Sequence, residues 1–208
     1  NLEIEAGAFV AFKGEDGSGR STLLRAFIHD APVVEGAIVI GDETSGADSS
    51  ALSRRSVRYV GRQPAIFRGS ILDNITLFGE IPAQVALSAA KMIGLDDEVV
   101  RMPMGYDTLL KSSAGRDLPT PTAQRVALTR AIAMRPSVLV LDEANASLDF
   151  TGEQRFVETL EKLRGKTTIV MATHRPSLLR LADKTYEVRD GKLIACAQEE
   201  RQAGKAAS

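Results

Sequence analysis

Gly14-Glu15-Asp16-Gly17-Ser18-Gly19-Arg20-Ser21-Thr22 joins an apolar run, Ala8-Phe9-Val10-Ala11-Phe12, to a segment of helical character, Ser21-Thr22-Leu23-Leu24-Arg25-Ala26-Phe27. At a strand-to-helix turn, glycines let successive backbone N–H groups converge on phosphate oxygens, and the helix N-terminus adds partial positive charge. The spacing is that of a phosphate-cradling P-loop with arginine at the lysine position. Gly14, Asp16, Gly17, Ser18, Gly19, Arg20, Ser21 and Thr22 are therefore the candidate nucleotide-binding residues, and Ser21 offers its hydroxyl to Mg²⁺. A glycine-rich turn that binds nothing is the competing reading; the strand before and the helix after weigh against it.

Arg20 keeps the positive charge but changes its shape. Lysine presents a compact charge on a flexible stem, whereas guanidinium is a wide planar fork. Losing one well-aimed electrostatic donor costs about 10²- to 10³-fold in rate, and a retained charge makes the loss smaller. The expectation is nucleotide binding that survives and hydrolysis that is slowed.

Outside the loop, 208 residues with 44% hydrophobic content suffice for one sizeable α/β domain. Twenty-six basic residues nearly balance 27 acidic ones, for a net charge of -1, so the global signature of a nucleic-acid binder is missing. Arg54, Arg55, Arg58, Arg62 and Arg68 form a local basic run without interleaved aromatics, which reads as a solvated or partner-facing surface. The single cysteine, Cys196, excludes an internal disulfide framework and multi-cysteine metal sites, suits a reducing compartment and reads as a strand residue. No apolar run is long enough to span a bilayer, and Asn1-Leu2-Glu3 does not start a signal peptide. The start without methionine, close to a strand, leads us to expect a piece of a longer protein that is soluble by itself.

Phe9–Phe12, Ala37–Ile40, Val57–Val60, Val138–Leu141 and Thr168–Ala172 read as strands. Helical patterns at 122–134 and 152–163 alternate with them, which argues for a covered, largely parallel sheet. Residues 69–135 read almost entirely as helix, Pro82–Ile93 included. Lys184–Arg189 and Lys192–Cys196 flank Asp190-Gly191, a hairpin signal, and the polar tail from Ala197 is expected to fray.

Val138-Leu139-Val140-Leu141-Asp142-Glu143 has the form of a Walker B element, an apolar strand ending in two carboxylates. Asp142 is placed to hold Mg²⁺ through its water shell. Glu143, pointing the other way along extended chain, is placed to orient and deprotonate the attacking water. Capping of the following turn is the structural alternative for both. Ile169-Val170-Met171-Ala172-Thr173-His174 repeats the layout and delivers His174 at a strand end, where open α/β sheets bind ligands.

Together these motifs resemble the nucleotide-binding domain of an ATP-binding cassette (ABC) transporter over nearly the whole chain. Gln63, in Val60-Gly61-Arg62-Gln63-Pro64, matches that family's Q-loop glutamine, which links Mg²⁺ and water to the membrane-domain contact. Ile66-Phe67-Arg68-Gly69-Ser70-Ile71-Leu72-Asp73-Asn74-Ile75 is similar to the segment that follows it in exporters and toxin-secretion transporters. Ala146-Ser147-Leu148-Asp149 resembles the D-loop, and His174 falls on the switch histidine that contacts the γ-phosphate.

The resemblance implies an α/β P-loop NTPase (RecA-like) fold with a parallel-sheet core over 1–68 and 136–196, a small antiparallel part, an inserted helical subdomain over 69–135 and a flexible tail over 197–208. It implies ATP and Mg²⁺ as ligands, ATP hydrolysis coupled to transport, and a position at the cytoplasmic face of a membrane. Its partners are transmembrane domains, here expected upstream in the parent chain, and a second nucleotide-binding domain arranged head to tail. The aromatic residue on which the family stacks adenine lies upstream of the P-loop strand, before Asn1.

The departure lies at the signature motif. Where the family carries Leu-Ser-Gly-Gly-Gln to meet ATP held by the opposite subunit, this chain has Leu118-Pro119-Thr120-Pro121-Thr122. Pro119 and Pro121 lack backbone N–H donors, while Thr120 as N-cap and Pro121 as first helical residue keep the helix. The expectation is an exporter domain working in an asymmetric pair, its partner's ATP poorly hydrolysed. The alternative is a regulatory module that holds nucleotide without productive hydrolysis; Arg20 favours it, Glu143 and His174 count against it. A soluble ABC ATPase of DNA repair or translation is disfavoured by the balanced charge and the exporter-like segment.

Overall fold

Alternate residues of each central strand enter opposite apolar clusters, and this two-sided burial produces a covered sheet. In the computed structural model, which describes residues 1–41, 57–111 and 117–196, β1 (Phe9–Lys13) sends Phe9 and Ala11 into one cluster and Val10 and Phe12 into the other. β5 (Val138–Asp142) and β6 (Thr168–Ala172) do the same: Leu139, Leu141, Ile169 and Met171 face one side, Val140, Val170 and Ala172 the other. With β2 (Val57–Val60), β7 (Lys184–Arg189) and β8 (Lys192–Ala195) they form one sheet in the order β2-β5-β6-β1-β7-β8. All pairings are parallel except β7 with β8. The β7–β8 turn places Asp190 at φ 50° and Gly191 at φ 70°, the two positive values that an Asp-Gly hairpin turn supplies.

Helix α1 (Arg20–Ala26) covers the second cluster through Leu24. The first cluster is covered by α2 (Ile71–Thr76), α3 (Ala83–Ile93), α4 (Asp96–Val99), α5 (Thr120–Ala133), α6 (Phe150–Leu163) and α7 (Pro176–Leu181). α2 begins with a reciprocal cap, in which the Ser70 hydroxyl accepts from the Asp73 amide and the Asp73 carboxylate accepts from the Ser70 amide. The fully buried Asn74 amide then clamps both backbone groups of Phe67, which gives the segment 66–75 its shape.

Several sequence expectations change. Ala37–Ile40 is irregular and half-exposed: the apolar run finds no strand partner among the described residues, so its backbone forms no ladder. Residues 69–135 are not almost wholly helical, because β3 (Gly69–Ser70) pairs antiparallel with β4 (Leu109–Leu110) and a 3₁₀ turn spans Gly105–Asp107. At α5 the N-cap is Pro119, not Thr120. The Pro119 carbonyl accepts from the Ala123 amide at 3.0 Å, putting Thr120 at the first helical position and Pro121 at the second. Either position tolerates proline, since first-turn N–H groups have no helical acceptor. Cys196, expected within the last strand, lies one residue beyond β8, its amide still donating to the Thr185 carbonyl at 2.9 Å. Arg54, Arg55 and the tail from Ala197 lie outside the described residues.

Candidate nucleotide-binding site

The loop between β1 and α1 is shaped by a close approach that only glycine allows. Gly14 sits at φ 153°, and a Cβ there would lie 2.5 Å from the Val188 carbonyl oxygen and 2.8 Å from Ser18 Oγ. Gly19, at φ 97° and in the left-handed region, turns the chain into α1. Beyond it Ser21 and Thr22 are exposed, whereas Arg20 is buried.

Two carboxylates at the end of β5 have opposite surroundings. Asp142 is buried and its oxygens accept from neutral hydroxyls: Oδ1 from Ser21 Oγ at 3.1 Å, Oδ2 from the Tyr59 hydroxyl at 2.9 Å. Burial, reinforced by the bond to Asp142, pushes the Tyr59 hydroxyl up to about 12. Glu143 faces two guanidinium groups and an imidazole instead. Its Oε1 lies 3.2 Å from Arg20 Nη2 and 3.6 Å from His174 Nε2, and its Oε2 lies 3.6 Å from Arg62. The divergence of the two side chains does not come from strand alternation, as the sequence suggested. β5 ends at Asp142, and Glu143 adopts φ 50°, a conformation uncommon for a non-glycine residue.

Arg20 Nη2 also donates to Asp16 Oδ1 at 3.2 Å, and His174 stands 4.0 Å from the same carboxylate. The P-loop, the end of β5 and the end of β6 thus converge on one cluster. Arg62 reaches it from the loop after β2, while its neighbour Gln63 is exposed.

Leu118, Pro119, Thr120, Pro121 and Thr122 start α5 in the helical part, with Leu118 and Thr122 buried and Pro119 and Thr120 exposed. Among the D-loop residues, Ala146 is exposed, Leu148 is buried and Ser147 Oγ is buried without a partner. Asp149 caps α6, accepting from the Gly152 amide and from Arg125 Nη2, each at 2.8 Å. The Gly152 bond, helped by Arg125, holds its carboxyl below the ordinary value.

Tyr59 was missed at the sequence level. Its link to Asp142 follows from the β2–β5 pairing, which sets Tyr59 beside Val140, and nothing local in the sequence reveals that pairing.

The residues present fit a nucleotide and its metal. Ser18 Oγ and Arg20 Nη1 are buried and unpartnered, in a loop whose only close-approach position is held open by glycine. Ser21 and Asp142 bring a hydroxyl and a carboxylate oxygen within 3.1 Å, a hard-oxygen pair suited to Mg²⁺.

Residues 1–146 match the sequence family described as ABC transporter. Over 208 aligned residues the chain is 34% identical to the type I secretion system ATP-binding protein PrsD of Rhizobium meliloti (strain 1021), covering 99% of this chain and 35% of that protein. It is 33% identical over 194 residues to the multidrug resistance-like ATP-binding protein MdlB of Buchnera aphidicola subsp. Acyrthosiphon pisum (strain APS), covering 93% and 33%. A solved structure of a bacterial Atm1-family ABC exporter with ATP bound superposes with a TM-score of 0.82 at 29% identity, covering 92% of this chain and 34% of that one. The chain thus spans about a third of the length of these relatives. No helix among the described residues is long and apolar enough to cross a membrane. Matched over most of its length in sequence and in fold, the chain belongs to the ABC transporter family.

Proposed function

We propose that this domain couples ATP binding and hydrolysis to export across a membrane, with hydrolysis slowed by Arg20 and with unequal ATP sites in a head-to-tail pair. One observation carries the reading: Arg20 is buried inside the phosphate loop with Nη1 unpartnered, while its Nη2 engages the carboxylate placed to act as base. The amides of Gly14 to Thr22 hold the triphosphate, and Ser21 and Asp142 hold Mg²⁺, which when bound supplies charge neutralisation at the phosphate oxygens. Arg20 turns from Glu143 toward phosphate, and the released Glu143 accepts the proton of the attacking water. His174 reports on the terminal phosphate, and Gln63, exposed beside Arg62, meets the membrane-domain contact.

Residues 118–122 face the partner's ATP, where Pro119 and Pro121 cannot donate. The partners are transmembrane domains at the cytoplasmic face of a membrane and a second ATP-binding domain; the balanced charge gives nucleic acid no role.

A second reading, a nucleotide-holding regulatory module, is favoured by the guanidinium groups on both oxygens of Glu143. Radiolabelled ATP turnover separates the two. The parent chain should be slow, Arg20→Lys faster, and Arg20→Lys with Leu-Ser-Gly-Gly-Gln restored at 118–122 faster again. No gain in either form, with ATP still bound, assigns the regulatory module.

A further inference from the structure

None of the hydrogen bonds among the described residues reaches the His174 ring, whose side chain is 51% exposed and stands 3.6 Å from Glu143 and 4.0 Å from Asp16. β6 ends two residues earlier, at Ala172, so the place of the ring is set by what holds the chain on either side of it. On the near side the buried Thr173 donates its amide to the Phe12 carbonyl at 3.1 Å, which ties the chain to β1. On the far side the anchor is Glu153. Its Oε1 accepts from Ser177 Oγ at 2.8 Å and its Oε2 lies 3.3 Å from Arg175 Nη1, while the Arg175 amide folds back onto Thr173 Oγ1 at 3.1 Å. Glu153 belongs to the first turn of α6, where its amide donates to the Asp149 carbonyl at 2.8 Å, so the anchor stands on a capped helix end.

Resting on the reading of His174 as the residue that meets the terminal phosphate, we propose that Glu153 is the positioning residue for His174. It touches no nucleotide and acts through Arg175 and Ser177, one residue and three residues beyond the histidine. A carboxylate that gives each of its oxygens to a different donor fixes orientation as well as position, which one bond does not. With that hold released, the chain after Thr173 keeps only its tie to β1, and the ring is free to swing away from the phosphate loop. A displacement of about 1 Å at such a group is enough to cost on the order of 10²-fold in rate.

The chain has two histidines, His29 and His174, so the imidazole C–H signals of a ¹³C-labelled sample report on each ring, and His29→Gln assigns them. Adding the slowly hydrolysed analogue AMP-PNP with Mg²⁺ should shift the His174 signal of the parent chain. In Glu153→Ala that shift should be largely lost, with the His29 signal unmoved and AMP-PNP affinity within about threefold of the parent. Glu153→Gln, which keeps an oxygen for the Ser177 hydroxyl, should restore most of it. ATP turnover should follow the same order, kcat falling about tenfold in Glu153→Ala with KM unchanged. In a His174→Ala background, Glu153→Ala should cost nothing further, because it acts through that ring. A His174 response in Glu153→Ala equal to the parent's overturns the proposal, and so does an additive loss in the double variant or a disturbance of both histidine signals. A parent His174 signal that ignores bound AMP-PNP refutes instead the reading of His174 as a phosphate contact, and the proposal falls with it.

Discussion

Arg20 and Arg125 are equally buried, each with 6% of its side chain exposed, and they use the same fork in opposite ways. Arg125, on α5, divides its two terminal nitrogens between acids on different elements, with only Nε left unpartnered: Nη1 meets Glu98 of α4 and Nη2 meets Asp149 at the head of α6. Arg20 places both of its acids on Nη2 and leaves Nη1 empty-handed. A buried charge whose partners lie on separate elements rivets those elements together. One whose partners crowd a single nitrogen, beside a glycine-rich turn, is held ready for something else. Burial alone does not distinguish the two; the distribution of partners does.

The largest effect should come from cutting the rivet. Arg125→Met leaves Glu98 and Asp149, both partly open to solvent, without their cation and should lower the unfolding free energy by about 2 kcal/mol, read from the denaturant midpoint. In the folded fraction, nucleotide affinity should stay near the parent value. Arg20→Met should do the reverse, weakening AMP-PNP binding by about tenfold or more while the melting temperature shifts little, because Glu143 keeps Arg62 and His174. Equal loss of stability in the two variants would erase the distinction.

A smaller effect tests how firmly Arg125 is pinned. A Cβ at Gly152 would lie 2.4 Å from Arg125 Nη2 and 2.7 Å from Asp149 Oδ1. Gly152→Ala should therefore destabilise by about 1 kcal/mol, against the gain alanine normally gives a helix.

The smallest effect is a matter of pH. The Asp149 carboxyl is held low by the Gly152 amide and, further, by Arg125, so its folded value lies beneath its unfolded one. Its contribution is present above the unfolded value of about 3.9 and is lost as pH falls through the folded value. Asp149→Asn retains a good cap but not the charge, so it should flatten part of the acid limb of a stability–pH curve by a modest loss of stability above about pH 4, the two curves converging in stronger acid.

The contrast between Phe9–Phe12 and Ala37–Ile40 explains what the sequence could disclose. Both are short apolar runs followed by polar residues, and local pattern treats them alike. The first is flanked on both sides by strands that come much later in the chain; the second meets none among the described residues. The P-loop spacing was legible because its meaning is local, fixed by glycines within one turn. The clasp of Arg20 on Glu143 was not, since it needs β1 and β5 to lie in one sheet with ends aligned and Glu143 to leave the strand at positive φ. The start of α5 was legible as a helix and misread by one residue, because two prolines offered two equally good first turns.

The first strand of the chain lies between two of the last, and Gly14 abuts the carbonyl of Val188. During synthesis on a ribosome, a nascent polypeptide that has emerged as far as α6 already contains every residue of the loop but neither β6 nor β7. Within this stretch of chain the phosphate loop is therefore translated before the two strands that flank β1, and it acquires its shape only once they have arrived.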